Sequence, residues 1–171
     1  GTIEPIKEIG EIAHKHNIVF HTDAVQAVGS VLIDVNEMNI DMLSMSGHKF
    51  YGPKGIGVLF VRTGVRINRI NDGGHQEKDK RSGTENTPGI IGISYAIEKA
   101  YRDFDENTKR IKELRDYYIS EIEKRIPEVI LNGDRNDRLP GNANFSFKCV
   151  EGESILLLLD AKGICVSTGS A

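Results

Sequence analysis

The stretch Ser44-Met45-Ser46-Gly47-His48-Lys49-Phe50-Tyr51-Gly52-Pro53-Lys54-Gly55 constrains this chain most. An apolar run, Ile40 to Met45, reads as a buried strand, and a second, Ile56 to Arg62, reads as another. Two serines, a histidine and a lysine crowd the turn between them. Such a turn is where a parallel α/β sheet gathers its chemistry. A lysine pressed against an apolar sheet loses hydration, so its amine is expected to deprotonate more easily. A neutral amine attacks carbonyls and forms imines.

Upstream, Val19-Phe20-His21-Thr22-Asp23-Ala24-Val25-Gln26-Ala27 is a second short strand that ends in a carboxylate, with an amide one helical turn later. Two uses are open to Asp23. It caps the short helix expected over residues 23–29, or it keeps a proton on a bound aromatic nitrogen, which makes the ring withdraw electrons. Gln26 lies on the same side and suits a hydrogen bond to a ring oxygen. His21 is expected to shape the mouth of the sheet.

Around these stretches the chain alternates helix and strand, the pattern of an α/β sheet. The spacing of Ile6, Ile9, Ile12 and Ala13 predicts an amphipathic helix over 5–17, opened by Pro5. His14 and His16 fall near its end, with no ligand set nearby to suggest a metal. Strands are expected over 18–22, 40–45 and 56–62. Residues 63–88 are poor in apolar side chains and read as long functional loops. Helices follow over 88–104 and 107–126, the second with Ile111, Leu114, Tyr118 and Ile122 on one face. The composition then shifts to short strands at 129–131, 144–147 and 164–166 around a helix at 152–161, a small α+β unit. The expected division is residues 1–98 and 99–171.

With 22 Lys and Arg against 25 Asp and Glu, the net charge is −3, which gives no electrostatic case for nucleic acid or an anionic membrane. No apolar run is long enough to span a bilayer, and residues 1–17 are not a signal peptide. Two cysteines make no disulfide framework, so a cytoplasmic setting is expected. Cys149 and Cys165 both read as small buried residues. Gly73-Gly74 and Gly52-Pro53-Lys54-Gly55 lack phosphate-loop spacing and read as tight turns.

The runs HTDAVQAVG, SMSGHKFYGPKGIGVLFVR, RSGTENTPGIIG, NANFSF and VEGESILLLLDAKGICVSTGSA together resemble the NifS/IscS cysteine desulfurases over essentially the whole chain. The resemblance implies part of the large pyridoxal 5′-phosphate (PLP) domain of the aspartate-aminotransferase fold, followed by a small α+β C-terminal domain. It implies that Lys49 joins the cofactor aldehyde as an imine and later moves protons. It further implies that Asp23 pairs with the pyridine nitrogen, Gln26 with the ring oxygen, and Ser46 and His48 with the phosphate. Thr84, in the RSGT run, would reach the phosphate of the partner subunit across a homodimer. The implied reaction turns L-cysteine into L-alanine and leaves sulfur as a persulfide, destined for an Fe–S scaffold or another acceptor protein. Selenocysteine lyase, an aminotransferase and an inactive truncated piece are the alternatives. Cys165 does not match the family's nucleophile, which would follow Ser167-Thr168-Gly169-Ser170-Ala171. An internal piece of a longer chain is therefore expected.

Overall fold

The computed structural model describes residues 1–168; Gly169, Ser170 and Ala171, the end of the run expected to precede the nucleophile, lie outside the described residues. The chain forms two compact units, residues 4–109 and residues 110–171 with 1–3.

In the first unit, α1 (Ile6–Lys15) is followed by β1 (His21–Asp23), β2 (Met42–Ser46), a 3-10 turn (Gly47–Phe50) and β3 (Gly57–Val61). After a long loop containing the short α2 (Gln76–Asp79) comes α3 (Thr87–Arg102), and α4 (Phe104–Arg125) crosses into the second unit. Asn86 caps α3: its side chain accepts the Gly89 N–H at 3.1 Å, and Pro88 occupies the first turn.

The sheet order is β1-β2-β3. β1 pairs with β2 in parallel, Asp23 opposite Ser44. β3 runs antiparallel to β2, Ser46 opposite Gly57, so the α/β sheet expected from the sequence is a mixed one. The link over 47–56 is shorter than the roughly dozen residues a parallel crossover needs, and the chain folds straight back. The short helix expected over 23–29 is instead a run of turns, closed by Val28 N–H to Ala24 O at 3.0 Å and Val31 N–H to Ala27 O at 2.8 Å.

Side chains alternate across a sheet, so the register sorts them by face. Leu43, Met45 and Phe60 turn toward a core of Ala24, Val28, Ile40, Leu43, Phe50 and Ile93. His21, Asp23, Ser44 and Ser46 fall on the other face. Asp41, buried just before β2, ties the strands together. Its Oδ2 accepts the Phe20 N–H at 2.9 Å and meets His14 Nε2 at 3.1 Å, while Arg62 Nε stands 3.5 Å from Oδ1. Burial is the largest single influence on this carboxyl and opposes its ionisation. The Phe20 amide, His14 and Arg62 together outweigh it and hold the group below its ordinary value.

In the second unit, β4 (Val129–Leu131) and β5 (Phe145–Phe147) form an antiparallel pair, followed by α5 (Gly152–Asp160). The strand expected over 164–166 is absent: the segment is irregular, because no neighbouring strand among the described residues offers it a ladder. On α4 the buried positions are Arg115 and Ile119, whereas Ile111, Leu114 and Tyr118 of the expected stripe are exposed. Arg115 is buried because Nη1 donates to Arg138 O and Leu139 O, both at 3.1 Å. Cys149 and Cys165 are exposed, which corrects the expectation of burial. Cys149 sits on a left-handed turn (φ 59°) just after β5, and Cys165 on the irregular segment after α5.

Candidate cofactor site at the end of the β1/β2 pair

The parallel pairing of β1 and β2 brings their carboxyl ends to one edge. Asp23 is the last residue of β1 and Ser46 the last of β2. With Asp23 opposite Ser44, strand rise and spacing put the Asp23 and Ser46 Cα atoms about 8 Å apart, on the same face. That span suits a single aromatic ring with a substituent at each end.

Past Ser46 the chain tightens into the 3-10 turn Gly47–Phe50, which carries His48 and Lys49 outward while burying Gly47 and Phe50. Gly47 closes the turn at both ends. Its N–H donates to Ile56 O at 3.0 Å, and its carbonyl accepts the Gly52 N–H at 2.8 Å. A methyl group on Gly52 would stand 2.8 Å from Gly47 O, so the two backbones meet only because residue 52 is glycine. Tyr51 ends the turn in a left-handed conformation (φ 66°), an uncommon state for a bulky residue.

Ser46 Oγ lies 2.8 Å from His48 Nδ1. If the hydroxyl donates, the ring proton sits on Nε2 and points outward. If Nδ1–H donates, the hydroxyl proton is left to point outward. Either tautomer leaves one outward donor, which suits an anionic oxygen. His21 Nε2 and Ser44 Oγ form a second pair at 2.8 Å on the same face. Asp23 Oδ1 accepts the Val25 N–H at 2.8 Å, a local bond that opens the run of turns in place of the helix it was expected to cap, and the residue is exposed. Gln26 is exposed on the turn that follows.

Lys49 is exposed, which corrects the expected dehydration: within this chain the turn lifts the side chain off the sheet, while the adjacent Phe50 takes the buried position. Thr84 is exposed on the loop before α3, and no hydrogen bond among the described residues ties it to the Ser46–Lys49 turn. The structure thus brings together Asp23, Ser46, His48 and Lys49 and leaves Thr84 on a separate loop. The His21–Ser44 pair was missed as a pair in the sequence. Its signal was there, since both residues belong to the polar positions of a period-two alternation. A carboxylate, a hydroxyl–imidazole pair and a primary amine at one sheet edge are the donor set that a phosphorylated pyridine aldehyde requires.

The family model described as aminotransferase class-V matches residues 1–171. A cysteine desulfurase IscS from Dictyoglomus turgidum is 58% identical over all of this chain and 43% of its own length. One from Methanosarcina thermophila is 55% identical over all of this chain and 42% of its own. Among solved structures, a NifS-like protein from Rickettsia africae superposes with a TM-score of 0.95 at 33% identity, over 99% of this chain and 47% of that one. Another NifS-like protein gives 0.92 at 36%, over 99% and 46%. The chain therefore spans less than half the length of the relatives it matches. These are proteins of PLP fold type I. From the fold and the match of the family model across its whole length, the chain belongs to the class-V aminotransferase family.

Proposed function

We propose that this chain supplies the lysine-bearing half of the site of a PLP-dependent cysteine desulfurase. The observation that carries the reading is the joining of Asp23, Ser46, His48 and Lys49 at the ends of β1 and β2. Class-V aminotransferases and cysteine desulfurases are PLP enzymes, and the donor set fits that cofactor. When bound, PLP supplies an electron-withdrawing ring that stabilises negative charge next to the substrate's amino carbon.

Each residue then has one task. Asp23 keeps the proton on the pyridine nitrogen, because a carboxylate favours the charged form of its partner. Gln26 donates to the ring oxygen. The Ser46–His48 pair offers its outward donor to the phosphate. Lys49 holds the cofactor and carries protons to and from the reacting carbon. Thr84 serves the phosphate of a second subunit in a homodimer.

The net change is L-cysteine plus a protein thiol giving L-alanine plus a persulfide. The substrate's C–S bond breaks, an S–S bond forms and no outside oxidant is needed. An Fe–S scaffold or another acceptor protein then takes the sulfur in the cytoplasm. The names of the matched relatives favour the desulfurase over other enzymes of this fold. Residues 1–98 are assigned to the large domain and 99–171 to the small one.

The test is the visible spectrum of the protein carrying this chain, with PLP added, before and after borohydride. A cofactor band that reduction fixes covalently to Lys49, and that Lys49→Ala abolishes, is the expected result. A folded protein with no band, or label on a different lysine, would refute the reading.

A further inference from the structure

α3 passes directly over the lysine turn, and one contact sets how close it comes. A Cβ added to Gly92 of α3 would stand 2.5 Å from Pro53 Cγ and 3.0 Å from Pro53 Cδ, but 3.9 Å from Pro53 Cβ. The pyrrolidine ring is stiff and cannot swing aside as a flexible side chain would. Pro53 follows Gly52, whose N–H is bonded to Gly47 O. Pro53 O itself lies within 3.1 Å of where a Gly47 side chain would begin. Moving Pro53 therefore moves the ring of backbone that carries His48 and Lys49. α3 cannot easily retreat instead, because Ile93, the next residue, is buried in the same core cluster as Phe50 of the turn. Glycine is a poor residue for a helix interior, and Gly92 sits well inside α3.

We propose that Gly92, through its contact with Pro53, is a positioning residue for Lys49: α3 is the stop against which the lysine turn is set. This rests on the PLP reading for its consequence but not for its geometry. A methyl at 92 displaces the turn by a fraction of an ångström to an ångström, away from α3. The lysine amine and the Ser46–His48 donor then move relative to Asp23, on whose strand nothing has changed.

The experiment compares Gly92→Ala, Pro53→Ala and the double variant with the wild type, in the protein carrying this chain. Alanine is the better helix former, so a defect in Gly92→Ala reports the contact and not the helix. Without cofactor, amide hydrogen exchange over residues 47–56 is expected to quicken about tenfold or more in Gly92→Ala. With PLP, recapture of the cofactor after stripping is expected to slow by a similar factor, and the pH midpoint of the visible band to move. Pro53→Ala removes Cγ and Cδ and leaves only an ordinary contact at 3.9 Å, so the double variant returns toward wild type in all three readouts.

A Gly92→Ala protein with unchanged exchange and an unchanged band, or a double variant as defective as Gly92→Ala, overturns the inference. A wild type with no band overturns the PLP reading alone, and the exchange measurement still decides the contact. If Gly92→Ala does not accumulate, the double variant decides: folded with native exchange supports the stop, misfolded refutes it.

Discussion

Replacing Asp41 by alanine tests whether one buried carboxylate holds β1 and β2 together below the site. Asp41 is 7% exposed, and three groups converge on it: the Phe20 N–H at 2.9 Å, His14 Nε2 at 3.1 Å and Arg62 Nε at 3.5 Å. Alanine leaves the Phe20 N–H without its acceptor, which costs about 1–3 kcal/mol if the amide stays buried. Arg62 is not orphaned by the change. It still donates to Ile40 O at 2.8 Å, Val35 O at 2.6 Å and Asn36 Oδ1 at 2.9 Å. His14 and Arg62 are about a third exposed, so each lost ion pair adds at most about 1 kcal/mol. The expected total is about 1–5 kcal/mol for Asp41→Ala. Asp41→Asn keeps an acceptor for Phe20 and loses only the charge, so about 1–2 kcal/mol is expected.

The same residue sets a pH dependence. Its carboxyl is held below the ordinary value, so the folded state binds the proton less tightly than the unfolded one. The stabilisation is therefore complete above the unfolded carboxyl's pKa of about 3.9 and is lost as pH falls through the lower folded value. Urea unfolding of wild type and both variants, repeated from neutral pH downward, reads both effects. Losses under about 0.5 kcal/mol for Asp41→Ala, beneath the usual cost of an orphaned donor, would refute the reasoning. So would a variant whose stability falls in acid in parallel with the wild type.

Two further predictions concern the framework. Ile119, 1% exposed on α4, is expected to cost about 2–5 kcal/mol when cut to alanine, read as a shift in the urea midpoint of the second unit. Asn86→Ala removes the cap that accepts the Gly89 N–H and is expected to cost about 1 kcal/mol, seen as faster amide exchange confined to the first turn of α3.

Much of the secondary structure was legible because its signals are local. The helices at 6–15, 87–102, 104–125 and 152–160 and the strands at 42–46, 57–61, 129–131 and 145–147 all arise from apolar spacing over a few residues. The residue types of the site were legible too: a carboxylate ending one strand, and a serine, histidine and lysine following another, needed no partner to be noticed. Local pattern failed wherever a distant partner decides. Nothing in 164–166 shows that no strand among the described residues stands beside it, and nothing in α4 shows that the carbonyls of residues 138 and 139 draw Arg115 inward while Tyr118 stays out.

The sequence by itself determined the chemistry that this chain brings and its order along the chain. It determined too that His21 and Asp23 share one face and Ser44 and Ser46 share one face, because alternation is a property of every strand. Only the tertiary structure decided that those two pairs lie on the same face, since that follows from the β1–β2 register. It also decided that β3 turns back antiparallel, that Lys49 stands clear of the sheet, and that Pro53 rests against Gly92. Each depends on what lies beside a residue in space, and a short window of sequence carries no record of that.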